Sequence, residues 1–354
     1  MSRMLDEIRE QPAALERTLA REWSTAEDLR KRLQSRPPRL ILIAARGTSD
    51  NAAQFGRYLL EITTGIPVSL AAPSVLSLYG TSLKLQDTLV VAISQSGEST
   101  DTNLVAERAR EAGATTVGIT NERDSALARI AEHVFHIRAG REQSVAATKT
   151  YTGQLLGMYL LAYACGAPIE LDSLRRIPEY AARALDTEAE INSRADRFTY
   201  MTQAISVARG LNYANAFEFA LKLMETCYVV AERFSAADLM HGPIAMVEQA
   251  FPTFLFTPAG PTSAGMLEMV EKLRGLKAET TLITDRGNRD VVGLRKQTIC
   301  IDAELTETGS SLPADIWTPI PYIIPAQLFA ACLAEKKGLN PDQPRTLSKV
   351  TLTL

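Results

Sequence analysis

Glu218, Lys222 and Glu225 stand at i, i+4 and i+7, so a helix across them presents two carboxylates and an ammonium on one face. On residue type alone, such a trio is either a solvated charged stripe or a general base beside a cation. A base of this kind, which takes a proton and returns it, is what moving a hydrogen between adjacent carbons needs. A second candidate is Ser94-Gln95-Ser96-Gly97-Glu98-Ser99-Thr100, set between an apolar run and a helical pattern. A helix N-terminus offers unpaired N–H groups and the positive end of a dipole, both suited to a phosphate. Ser94, Ser96 and Ser99 would add hydroxyl donors, and Gly97 would let the backbone come close. Serine and threonine also cap helices where no ligand is involved, so phosphate cradle and plain capped turn both stay open here.

Other residues carry chemistry only in context. His241 stands in the turn-like Met240-His241-Gly242-Pro243, and a lone histidine is more often structural. Lys349 reads on composition as a charge near the C-terminus. His133 and His136 flank Val134-Phe135 at alternate strand positions and read as strand-edge residues rather than ligands. Cys165, Cys227, Cys300 and Cys332 form no CxxC pair and read as reduced, buried thiols. No metal site and no cofactor is expected, and neither GxxxxGK[ST] nor a GxGxxG after a strand marks a nucleotide site.

The 354 residues are 46% hydrophobic and 22% charged, which suits two to three folded units and excludes a disordered chain. A net charge of −3 leaves no basic excess for nucleic acid or an anionic membrane. No apolar run approaches the ~20 residues that span a bilayer, and the stretch from Met1 to Pro12 is too charged for a signal peptide. A cytoplasmic enzyme is the expectation.

The elements that must position these residues follow from hydrophobic spacing. Leu5, Ile8, Leu15, Leu19 and Trp23 recur at helical spacing over the first ~35 residues, until Pro37-Pro38 stops the helix. Leu40 to Ala45 then runs apolar into Arg46-Gly47-Thr48-Ser49 and a helical pattern from Asn51 to about Thr63. Thr88–Ile93 feeds the serine loop and a helix over 101–110, and Thr115–Thr120 and Val134–Ile137 read as further strands. Continuous apolar strands alternating with helices indicate a doubly wound parallel sheet. The pattern then recurs: Gly47 pairs with Gly210 and Gly97 with Gly260, each 163 positions on, and Thr115 pairs with Thr280, 165 positions on. Near-equal offsets argue for tandem duplication of one α/β unit. The second copy of the loop, Thr257-Pro258-Ala259-Gly260-Pro261, lacks most of the hydroxyls, so one copy alone is expected to hold phosphate.

Gly47-Thr48-Ser49, Ser94-Gln95-Ser96-Gly97-Glu98 and Val145-Ala146-Ala147-Thr148-Lys149 resemble the tandem sugar-isomerase (SIS) domains of glucosamine-6-phosphate synthase. Glu218 to Glu225, Leu239-Met240-His241-Gly242-Pro243, the tail from Asp342 to Lys349 and Glu7 to Pro12 extend the likeness along nearly the whole chain. It implies residues 1–36 as an N-terminal helical segment and 37–171 as a first SIS domain with the phosphate loop. A helical linker over 172–195, a second SIS domain over 196–340 with the catalytic helix, and a tail over 341–354 closing over the site complete the expected division. By the same resemblance Glu225 is the base, with Lys222 close to the reacting carbons. The histidine matching His241 opens the sugar ring and comes from the partner subunit of a homodimer with a shared site. The lysine matching Lys349 closes over the open-chain sugar and forms an imine at C2. Thr48, Ser49, Ser94, Gln95, Ser96, Ser99 and Val145 would bind a small sugar phosphate.

The likeness is to the isomerase half alone, and Met1-Ser2-Arg3 leads straight into the helix, with no cysteine near it for glutamine hydrolysis. The expected reaction is therefore the C2 chemistry run backwards: glucosamine 6-phosphate to fructose 6-phosphate and ammonia. A fructosamine-6-phosphate deglycase, ammonia-dependent synthesis and a non-catalytic phosphosugar sensor are the alternatives. Three departures bear on specificity. Arg46 stands where a small residue or cysteine is usual, Ala147 where the synthase has serine, and Ser99 where it has threonine.

Overall fold

Each half of the chain forms a sheet of five parallel strands whose inner members are the largely apolar runs, because only a sheet covered on both faces hides such runs from water. A computed structural model describes residues 2–294, 298–347 and 349. They fall into two units: residues 11–142 and 149–176 with Lys349 form one, and residues 2–10, 143–148 and 177–347 the other.

In the first unit β1 (Leu40–Ala44), β2 (Val68–Leu70), β3 (Thr88–Ile93), β4 (Thr115–Thr120) and β5 (His133–His136) lie in the order β2-β1-β3-β4-β5, all parallel. Strand β3 is central and buried along its whole length. The helix Lys149–Ala164 is apolar and buried on nearly every side, as a helix sandwiched in a core must be. It packs against the helices Gln11–Ser35 and Thr48–Thr64.

In the second unit β6 (Gln203–Ala208), β7 (Val230–Ser235), β8 (Pro252–Phe256), β9 (Glu279–Asp285) and β10 (Thr298–Ile301) give the order β10-β9-β8-β6-β7, again parallel. Taken from the β7 edge this is the order of the first sheet. Strands β3 and β8 end at Ile93 and Phe256, 163 positions apart, so the duplication seen in the sequence is also one of topology. Helix Pro319–Lys336 is the buried helix here, with Phe329 meeting Phe198, Phe219 and Phe254 edge-on or tilted at centroid distances of 4.9 to 6.0 Å.

The N-terminal helix differs from its expected single span. It forms two pieces, Arg3–Arg9 and Gln11–Ser35, in different units. Pro12 has no N–H to give the carbonyl of Ile8, so the first helix ends and a second begins with proline in its opening turn. The helix after β1 starts at Thr48 rather than Asn51, because Gly47 (φ +56°) turns the chain at once and its carbonyl accepts from the N–H groups of Asp50 and Asn51. The expected tail lies partly outside the described residues, which omit 348 and 350–354. Among the described residues, no helix is long and apolar enough to cross a membrane.

Gly153 marks how tightly the first core closes. A Cβ there would stand 2.1 Å from Cγ2 of Ile137, a branched side chain that cannot swing away. Gly153→Ala should therefore cost about 1–3 kcal/mol by overpacking, read as a lowered urea midpoint with an unchanged slope.

Candidate active site

Ligands of open α/β sheets bind outside the carboxyl ends of the strands, where strand order reverses. In the first sheet that point lies between β1 and β3. The chain leaves β1 through Arg46-Gly47-Thr48-Ser49 and leaves β3 through the serine loop. The loop is organised by its own hydroxyls: Ser94 Oγ accepts from the N–H of Gly97 (3.1 Å) and Ser96 Oγ from that of Glu98 (3.3 Å). Ser99 is the N-cap residue of the helix Thr100–Glu111, with its Oγ 3.0 Å from Thr102 Oγ1. A hydroxyl that accepts keeps its own proton to donate, so Ser94 and Ser96 remain donors toward an anion. Gly97 is required twice over. Its φ is +67°, and a Cβ would stand 2.1 Å from Ser125 Oγ. It is Ser125, then, whose close approach the glycine permits within the protein.

Other expected binding residues of this unit are turned inward. Ser49 is buried and its Oγ accepts from Gln154 Nε2 (2.8 Å), while Thr48 opens its helix half-buried. Gln95 donates through Nε2 to Glu142 (2.8 Å), a carboxylate that also accepts from Thr150 Oγ1 (2.6 Å) and Lys349 Nζ (3.1 Å). Glu142 was not singled out from the sequence; its place three residues before Val145, in a quoted motif, is the signal that could have found it. Ser96 also borders an open cleft of about 1270 Å³, where Arg17, Arg21, Arg123, Arg138 and Arg141 outnumber Glu98, Glu122 and Asp124. The loop thus sits in cationic surroundings.

In the second unit the helix Tyr213–Cys227 carries the charged trio. It is no solvated stripe: Glu218 and Lys222 are fully buried and only Glu225 reaches solvent, its side chain 22% exposed. Lys222 Nζ lies 2.5 Å from Glu225 Oε2 and 3.4 Å from Glu218 Oε1. Burial pulls the Lys222 ammonium toward deprotonation, but the two carboxylates overcome it and hold the group well above the ordinary lysine range. Lys222 is a fixed cation.

Tyr228, in the left-handed conformation (φ +53°), ends this helix, and Arg345 lies over its ring with the guanidinium carbon 3.9 Å from the centroid. The N–H of Val145 donates to the carbonyl of Asp342 (3.2 Å), whose carboxylate accepts from the N–H groups of Arg3 and Met4. His241 closes the short helix Ala236–Met240 and is exposed. Among the described residues its imidazole has no hydrogen-bond partner. The second switch point, between β6 and β8, is folded onto its sheet: Thr257 Oγ1 donates to the carbonyl of Ile283, and its own carbonyl accepts from Thr284 and Asn288. Among the described residues no group of His, Cys, Asp and Glu could hold a metal ion. Cys227 and Cys332 are buried as expected, whereas Cys165 and Cys300 are half-buried; burial pushes the Cys165 thiol up to about 12.

The SIS domain model matches residues 36–164 and again 201–330. The chain is 36% identical over 349 residues to the "Glutamine--fructose-6-phosphate aminotransferase [isomerizing]" of Methanothermobacter thermautotrophicus, covering 98% of this chain and 56% of the relative. It is 36% identical over 352 residues to the protein of the same name from Pyrococcus horikoshii, covering 98% and 57%. The chain thus spans little more than half the length of these curated relatives. The C-terminal domain of glucosamine-fructose-6-phosphate aminotransferase from Francisella tularensis superposes with a TM-score of 0.84 at 26% identity, over 97% of this chain and 98% of that one. A glucosamine-6-phosphate deaminase from Thermotoga maritima gives 0.78 at 20% identity, over 99% and 100%, a likeness of fold alone.

The trio's burial makes a stability prediction. Lys222→Ala would remove the cation that stands 3.4 Å from the buried Glu218 carboxylate, so it should cost about 3–5 kcal/mol. Glu225→Gln, at a partly exposed position, should cost clearly less. Urea unfolding of the two variants measures the difference.

Proposed function

Starting from the chain's membership of the SIS-domain family, with two such domains in tandem, we propose that it is a phosphosugar aldose–ketose isomerase and deaminase. The reaction we assign is glucosamine 6-phosphate plus water to fructose 6-phosphate plus ammonia. The Lys222–Glu225 pair carries this proposal: a partly exposed carboxylate held 2.5 Å from a buried, permanently charged ammonium. The curated relatives, which are named for an isomerizing reaction at fructose 6-phosphate, support the substrate class.

In this scheme Ser94, Ser96 and Ser99 hold the phosphate, with Thr48, Ser49, Gln95 and Val145 around the sugar. His241, lent by the partner subunit of a homodimer, protonates the ring oxygen as the pyranose opens to the C1 aldehyde. Glu225 takes the proton from C2 and returns it to C1, which converts the amino aldose into a C2 imine. Water adds at C2 and ammonia leaves. Lys222 stabilises the carboxylate and the oxygen that gains charge at C1. Lys349, which donates to Glu142, forms its own imine at C2 in this scheme by displacing ammonia, and water then releases the ketose. Ala147, buried where the resembling synthase has serine, leaves one hydroxyl contact to the sugar missing and so bears on sugar specificity; a fructosamine 6-phosphate is the second substrate to test.

Purified protein given glucosamine 6-phosphate should release ammonia and fructose 6-phosphate in equal amounts. Turnover of a fructosamine 6-phosphate alone, to the free amine and an aldose 6-phosphate, would replace deaminase by deglycase, and no turnover of either would leave a binding protein. Glu225→Gln should slow proton transfer on the order of 10²–10⁴-fold, with phosphate binding retained. Near-normal turnover would pass the base role to Glu218. Mixing inactive Glu225→Gln and His241→Ala chains should restore part of the activity if His241 crosses subunits, because one site of each heterodimer carries neither defect. Ser96→Ala should raise KM by the loss of a charge-assisted hydrogen bond, about 1.5–3 kcal/mol.

A further inference from the structure

Arg46 leaves β1 at the switch point and reaches the first turn of the helix that starts where the serine loop ends. Its Nη2 donates to Asp101 Oδ2 at 2.6 Å. The two ends of this pair differ: the Arg46 side chain is 49% exposed, the Asp101 side chain 3%. Among the described residues Asp101 Oδ1 is buried without a hydrogen-bond partner. A carboxylate in the first turn suits an empty helix, whose N-terminus is positive. The same carboxylate opposes a second anion at that N-terminus.

We propose that Arg46 sets the phosphate affinity of the serine loop, by neutralising Asp101 and presenting its remaining guanidinium N–H groups at the crevice; this rests on the phosphate role proposed above for that loop. An arginine can do both because its planar fork carries five donors, and one hydrogen bond to Asp101 leaves others over. The small residue or cysteine usual at this position can do neither. Arg46 thus acts as a specificity residue for the anionic end of the substrate, and it takes no part in proton transfer at C1 and C2. Without it the uncompensated Asp101 charge would face the phosphate. The defect should therefore be repaired by removing that charge, which a merely structural salt bridge would not show.

Inorganic phosphate and fructose 6-phosphate are titrated calorimetrically into the full chain and its Arg46→Ala, Asp101→Asn, Arg46→Ala/Asp101→Asn and Ser96→Ala variants at low and high salt. Arg46→Ala should weaken both ligands by about tenfold or more, with a smaller deficit at high salt. The double variant should recover most of the loss, and Arg46→Lys should keep part of the affinity. In turnover Arg46→Ala should raise KM far more than it lowers kcat. If Ser96→Ala weakens phosphate binding and Arg46→Ala does not, the inference about Arg46 is overturned and the loop stands. If the double variant binds no better than Arg46→Ala, charge compensation is overturned too. If neither Ser96→Ala nor Arg46→Ala alters phosphate binding, the phosphate loop itself is misassigned.

Discussion

The second unit is built around an ammonium with no water. Taking a lysine out of solvent costs several kcal/mol even after relaxation, and only close, well-directed opposite charges offset it. Lys222 meets that condition because helical spacing brings Glu218 one turn before it and Glu225 almost one turn after it. The helix must then be covered on its charged side as well as its apolar one, and the buried helix Pro319–Lys336 packs against it. The result is a carboxylate, Glu225, that faces solvent on one side and a fixed cation on the other.

The two copies differ in what they keep at equivalent places. Both sheets have the same strand order, and both offer a switch point where a loop meets a helix N-terminus. In the first unit that loop keeps three serines and a glycine at positive φ. In the second, Thr257 is spent on the sheet's own carbonyl groups, and prolines flank the remaining turn. The second unit instead devotes its first helix after the opening strand to charge. One architecture thus carries a serine-rich loop at the switch point of one copy and a buried charged trio on a helix of the other.

Much of this was legible in the residues. Strands β3 and β4 have the ends their apolar runs imply, since a fully buried strand leaves no room for ambiguity of face. Burial of charge was not legible. Glu218, Lys222 and Glu225 have the spacing of a solvated stripe, and nothing local distinguishes a stripe that packs against another helix from one that meets water. Glu142 escaped notice for the same reason: its partners Gln95, Thr150 and Lys349 come from separate stretches of chain. The break at Glu10 could have been read, because Pro12 was visible and removes the N–H that a continuous helix needs.

Several other buried carboxylates among the described residues are matched by donors. Glu22 accepts from Arg138 and the N–H of His136, Glu7 from the N–H groups of Gln143 and Ser144, and Asp285 from Tyr322, Gly287 and Leu305. In each, hydrogen bonds replace part of the lost water. Asp101 differs. Among the described residues its Oδ1 is the one carboxylate oxygen buried without a partner, and its Oδ2 depends on an arginine that is half in solvent. A structural ion pair would be expected to satisfy both oxygens. One that leaves an oxygen bare beside a helix N-terminus, with the cation reaching across from the opposite lip of the crevice, is better suited to a site whose charge must balance a ligand than to one that must simply hold still.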